Sequence, residues 1–161
     1  MREPARTAET LAPMLGRDLR LDYALRGGFF EDADLASGIR SGGARARDIT
    51  VAAGLDNFEQ ALANRLKTRR GELADLGHPD YGSRHHELIG EPNVDRTRNL
   101  IKLYVLQALR DEPRVEKVLS AKVTAEHTPP RESVRIELEI RVRGEPSPLN
   151  LVVPFSLGVS L

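Results

Sequence analysis

From residue 134 to residue 143 apolar and charged side chains alternate without a fault: Val134, Ile136, Leu138, Ile140 and Val142 against Arg135, Glu137, Glu139, Arg141 and Arg143. Successive side chains of a strand point to opposite faces, so this run is a strand with one face in a core and one in water. A second run, Leu149, Leu151, Val153, Phe155 and Leu157, keeps the same period, and residues 115–126 form a less regular partner. The proline-containing stretches 128–131 and 144–148 are short connections, which predicts a three-stranded antiparallel meander. Pro154 cannot donate to a ladder, so the last strand is expected at an edge or with that nitrogen outward. Its outward positions, Asn150, Val152, Pro154 and Ser156, are candidates for pairing with a partner's extended arm.

Upstream the period changes to that of helices. Leu55, Phe58, Leu62 and Leu66 recur at helical spacing, with Asp56 and Glu59 as a variant capping box and Gly71 as the stop. Leu100, Ile101, Leu103, Tyr104, Leu106, Ala108 and Leu109 give the longest helix, about residues 94–111, a wide apolar face. Asn93 or Asp95 is placed to cap it, and Pro113 cannot continue it. Between the two helices lie a bend around Pro79-Asp80-Tyr81-Gly82 and a short helix, residues 83–89, closed by Gly90.

Nearer the N-terminus, Leu19, Leu21, Tyr23 and Leu25 alternate with Arg20, Asp22, Ala24 and Arg26, one half-buried strand ended by Gly27-Gly28. Ile49-Thr50-Val51 is a further short strand. Residues 31–47, with Gly38, Gly42 and Gly43, read as a flexible connection, and no internal repeat stands out. The expected fold class is α+β: helices packed on a C-terminal three-stranded antiparallel meander, with an additional N-terminal strand. Residues 1–17 are expected to be a flexible arm and residues 18–161 a single domain.

Charge and composition remove several functions. Lys plus Arg and Asp plus Glu number 24 each, so there is no long-range field for a general nucleic-acid or anionic-membrane binder, and any partner is recognised by local surface. With no cysteine there is neither a disulfide framework nor a thiolate metal site. Aromatic residues are 4% of the chain and tryptophan is absent, which leaves little for a sugar-stacking cleft. No apolar run approaches the roughly 20 residues that span a bilayer, and Met1-Arg2-Glu3-Pro4 lacks the apolar stretch of a signal peptide, so a soluble cytoplasmic protein is expected.

The carboxylates Glu72, Asp80, Glu87 and Glu112 are the nearest candidates for a glycosidase pair, but none sits in an apolar run that would desolvate it and raise its pKa. His78, His85, His86 and Glu87 cluster in sequence without the i, i+4 spacing that puts two imidazoles on one metal, so they are expected as surface or turn residues. No cofactor motif is present.

One ordered set of motifs points elsewhere. Leu66-Lys67-Thr68-Arg69-Arg70-Gly71-Glu72-Leu73, then Pro79-Asp80-Tyr81-Gly82, Glu87-Leu88-Ile89-Gly90-Glu91-Pro92-Asn93 and Glu112-Pro113-Arg114-Val115 resemble the phage baseplate wedge family. That family includes baseplate assembly protein W, the lysozyme-like wedge proteins of contractile tails, and counterparts in type VI secretion and extracellular injection systems. The resemblance covers about residues 48–123 and more loosely the last strands. It implies a structural component of a contractile injection machine, without catalysis or cofactor, in six copies around the tube, contacting baseplate wedge proteins and the terminal arms of sheath subunits. Glu112, Pro113 and Arg114 are implied as the wedge contact, with Glu112 orienting the Arg114 fork. Gly71, Glu72, Pro79, Tyr81 and Gly82 are implied to shape the domain. His85 stands where many relatives carry an apolar residue. The resemblance also keeps two alternatives in view, a tail-associated peptidoglycan hydrolase and a generic adaptor.

Overall fold

In the computed structural model, residues 15–26, 30–39, 47–126 and 131–158 are described. Most of the expected arm, the Gly27-Gly28 turn, His127 and most of the 128–131 connection lie outside the described residues. The chain forms two compact units, Met1–Gln60 and Ala61–Leu161.

In the first unit, alternation yields six short strands where one or two were expected: β1 (Arg17–Leu19), β2 (Leu21–Arg26), β3 (Phe30–Leu35), β4 (Ser37–Ile39), β5 (Arg47–Ile49) and β6 (Val51–Ala53). They pair as three antiparallel ribbons, β1 with β6, β2 with β3 and β4 with β5. Of the expected flexible connection, residues 31–35, 37–39 and 47 are therefore strand, while residues 40–46 lie outside the described residues. The expected strand of residues 19–25 breaks at Arg20, because its two halves have different partners.

The ribbons meet at Arg20, Ala36 and Thr50, whose main chains close a ring. Arg20 N–H donates to Thr50 O (2.9 Å), Thr50 N–H to Ala36 O (2.9 Å) and Ala36 N–H to Arg20 O (2.8 Å). Helix α1 (Leu55–Lys67) begins in this unit and ties to it by side-chain amides. The Gln60 amide accepts from Leu21 N–H (2.8 Å) and donates to Leu19 O (2.9 Å), filling the strand edge at the branch as a neighbouring peptide would. Asn57 donates to Leu15 O at 2.7 Å. Asp56 lies inside the helix and pairs with Arg20 at 2.7 Å, not in the expected cap.

In the second unit the meander is as expected: β7 (Val115–Ala125), β8 (Ser133–Val142) and β9 (Leu149–Ser156), in that order, antiparallel throughout. Val134, Ile136, Leu138, Ile140 and Val142 are all buried, and Leu151 and Val153 join them from β9. Helix α2 (Asp95–Arg110) packs its Ile101, Val105, Ala108 and Leu109 side against β7 and the turn Arg84–Leu88. Ile101, Val105 and Leu109 each contribute roughly 1.5–3 kcal/mol by leaving water. The expected cap of α2 is absent: Val94 occupies that position, while Asn93 donates to Arg131 O (2.9 Å) and accepts from Arg98 (2.6 Å). Helix α1 ends at Lys67, before Gly71, because Thr68 O is taken by Ser83 N–H at 2.9 Å and the chain crosses Ser83 there.

Candidate functional site

The Glu112-Pro113-Arg114 turn follows α2, where Glu112 N–H still bonds Leu109 O at 3.2 Å before proline stops the helix. Glu112 is 5% exposed, although no apolar run surrounds it in sequence. The fold places two guanidiniums on it. Arg114 donates through Nε at 2.6 Å and through a terminal nitrogen at 3.2 Å, a two-point fork. Arg65, from α1, adds a third contact at 3.3 Å. Burial pushes the Glu112 carboxyl up, but the hydrogen bonds and charge of Arg114, helped by Arg65, outweigh it and hold the group below the usual carboxylate range. On the other side, Arg143 donates to Pro113 O at 3.2 Å and its N–H bonds Arg114 O at 2.9 Å. The turn is thus fixed to α1 and to the end of β8, and Arg114 keeps 25% of its side chain exposed.

Beside it opens a polar cleft of about 960 Å³, with Arg65, Arg70, Arg84 and Arg110 among its walls. Arg65 lies over the Tyr81 ring, 4.6 Å from its centre. Burial, the dominant influence, raises the Tyr81 hydroxyl above its ordinary pKa. Arg70 pairs with Asp80 at 2.7 Å, and Arg84 grips Glu87 with two 3.0 Å bonds that, more than the charge itself, lower the Glu87 carboxyl. None of these arginines was singled out from sequence as a site residue. Arg65 alone left a trace, standing three residues after Leu62 on the flank of the buried helix face.

Two of the residues expected to shape the domain, Pro79 and Tyr81, line this cleft. Gly82 has φ +98°, and a Cβ there would lie 2.6 Å from Thr68 O and 2.8 Å from Arg69 O, so glycine is required twice over. Glu72 accepts from Arg69 N–H at 3.0 Å after the φ +86° turn at Gly71. Pro79 lies in the cleft wall with Tyr81, whose N–H bonds His78 O at 3.2 Å.

Expected among surface or turn histidines, His85 is instead core: 1% exposed, bonded to Ser83 Oγ at 2.8 Å, stacked on His86 at 4.3 Å and edge-on to Phe155 at 4.5 Å. Burial and then the neighbouring His86 depress it to about 3. His86 bonds Leu66 O at 2.8 Å, and burial lowers it too. Among the described residues no three His, Asp or Glu side chains gather as a metal site.

Asn150, Val152, Pro154 and Ser156 lie together on β9, which among the described residues pairs with β8 alone. Leu157 N–H bonds Glu132 O at 2.9 Å, which fixes the phase of the ladder: amides of odd-numbered residues face β8 and those of even-numbered residues face outward. The missing amide of Pro154, opposite Arg135, is therefore on the open edge, where it costs no ladder bond.

Residues 52–147 match the family model described as Baseplate wedge protein gp25. The crystal structure of a candidate tail lysozyme from Geobacter sulfurreducens is similar, with 27% identity, TM-score 0.57, and alignment over 71% of this chain and all of that one. A chain of the baseplate complex from the type VI secretion system aligns at 20% identity and TM-score 0.47, over 60% of this chain and 88% of that one. No curated protein matches.

Proposed function

The chain belongs to the Baseplate wedge protein gp25 family and is a structural component of a baseplate; from that premise we propose that it joins the wedge to the first ring of sheath. Glu112, Pro113 and Arg114 hold it to wedge proteins, six copies surround the tube, and β9 starts sheath growth by pairing with terminal arms of sheath subunits. The observation that carries the reading is the open edge of β9, with outward amides at Asn150, Val152 and Ser156 and proline between them. It is assembled in the cytoplasm into a tail-like particle. No helix among the described residues is long and apolar enough to cross a membrane.

Catalysis is no part of this role. A peptidoglycan hydrolase needs a carboxyl held protonated near neutrality. The buried carboxyl here, Glu112, is held ionised by Arg114 and Arg65. Purified protein is expected to leave the turbidity of a cell-wall suspension unchanged. Clearing that disappears in Glu112→Gln would establish the hydrolase instead.

The deciding experiment is Asn150→Pro, which removes one outward donor and spares the ladder to β8. Particles should carry baseplates and inner tubes without sheath. Full-length sheath on the variant would mean that initiation uses another surface.

A further inference from the structure

The junction of the three ribbons has two unlike faces. The branch residues Arg20, Ala36 and Thr50 and the alternate position Ala52 share one face, where Ala36 and Ala52 are buried. The flanking residues turn the other way. Leu19 stands opposite Val51, Leu21 opposite Leu35, Ser37 opposite Ile49 and Ile39 opposite Arg47. Five of them are exposed: Leu19 45%, Leu35 44%, Ile49 47%, Val51 52% and Ile39 82%. Apolar side chains gathered around one branch point differ from scattered surface leucines, because they make one continuous patch.

The edges beside this face are closed at the branch. Asp18 accepts from Leu19 N–H (2.7 Å), Asp34 from Leu35 N–H (2.7 Å) and Asp48 from Ile49 N–H (2.9 Å), the same bond at the same place in all three strands. Gln60 occupies the next positions on the first strand. A partner strand cannot take those amides without breaking the aspartate bonds, so the face, not the edge, is the accessible surface.

Charge narrows the occupant. Among the described side chains, the charged residues on the apolar face are Arg17, opposite Ala53, and Arg47, opposite Ile39; the aspartates lie on the other face. Two copies meeting face to face would bring the Arg17 and Arg47 guanidiniums together, with no carboxylate of the described side chains on that face between them, which disfavours self-association. Two arginines are also few for an anionic membrane, at about 1 kcal/mol each. We propose that this face docks a different protein, through an apolar patch bordered by Asp or Glu side chains that meet Arg17 and Arg47. All of the junction except Ala52 and Ala53 precedes residue 52, where the family match starts. The contact is therefore an addition to the wedge fold and is separate from the β9 edge.

The test places the photocrosslinker p-benzoylphenylalanine at Ile39 in the full-length chain, in cells that express it with its neighbouring genes. The expected product is a crosslink to another polypeptide, at apolar residues with Asp or Glu within one helical turn or two strand residues. A crosslink to a second copy, to lipid, or to nothing overturns the proposal. Arg17→Glu should cut the yield about tenfold, corresponding to about 1.4 kcal/mol, at an unchanged melting temperature; an undiminished yield overturns the carboxylate border. Because the crosslink is read in cells, it does not require sheath or completed particles. Loss of sheath in Asn150→Pro with the Ile39 crosslink intact, or the reverse, shows which of the two readings fails.

Discussion

Two regions of this chain are built from alternating antiparallel strands, and they end in opposite states. The meander β7–β9 turns Val134, Ile136, Leu138, Ile140 and Val142 into a closed core, while the ribbon junction β1–β6 leaves Leu19, Leu35, Ile39, Ile49 and Val51 in water. Period two therefore announces that one face of a strand is apolar. Whether that face is covered depends on strand length and on what packs above it. Strands of 10 and 11 residues can carry a helix such as α2, whereas ribbons of three and six residues around a branch offer only a small patch.

The contrast breaks most readily with paired truncations. Ile136→Ala removes a side chain of 0% exposure and should cost about 2–5 kcal/mol, read from the urea midpoint. Ile39→Ala, at 82% exposure, should stay within about 0.5 kcal/mol in the isolated protein. A comparable loss at Ile39 would mean that its face is covered within the chain itself.

Acid separates the regions next, because the described histidines all lie in the second unit. His85 has a folded pKa of about 3 against 6.5 in the unfolded chain. Below pH 6.5 the unfolded state therefore binds the extra proton, and stability falls as pH drops toward 3. Stability should decline by up to about 1.4 kcal/mol per pH unit, or about 2 kcal/mol between pH 6.5 and 5. Glu112, depressed from 4.5, adds its own loss only below that pH. His85→Phe should reduce the slope from pH 6.5 to 5 in denaturant titrations, leaving the share of His86, which burial also lowers. An unchanged slope there would assign the acid sensitivity to another group.

Gln60→Ala tests the branch in turn. It removes a buried amide that serves Leu21 N–H and Leu19 O, and the expected cost is about 1–2 kcal/mol, with faster exchange of the Leu21 amide. The amides of β8 should keep their protection.

Residues acting through their neighbours in sequence were legible, and those acting across the fold were not. The meander, the α2 face and the edge character of β9 follow from period and from one proline. The Arg114–Glu112 fork was readable because its members are two residues apart, whereas Arg65 stands 47 residues from Glu112 and its place on the flank of the α1 face does not point to that partner. His85 was misplaced because histidine's polarity hid an apolar position between Phe155 and His86. The strands within residues 31–39 and at residue 47 were missed because glycine and scattered charge mask a pattern that depends on partners in other strands. The repeat Asp18-Leu19, Asp34-Leu35, Asp48-Ile49 is only two residues long, too short to stand out until the branch aligns it.

That repeat supports the smallest prediction. If the junction is built three times over from one device, then Asp18→Ala, Asp34→Ala and Asp48→Ala should act alike. Each loses one exposed side-chain bond to the next residue's N–H, for about 0.5–1 kcal/mol at most. The sensitive reading is local: amide exchange at Leu19, Leu35 and Ile49, each accelerating only in its own variant, with the ring bonds of Arg20, Ala36 and Thr50 still protected. Exposure makes each bond weak but leaves its position in the fold unchanged, so equality among the three is the informative outcome. A variant that also released the ring amides would show that its aspartate holds the branch itself, and the three strands would then not be equivalent. Equal, purely local effects would mean that the aspartates only occupy strand edges, which is the condition under which the apolar face is left as the surface a partner can use.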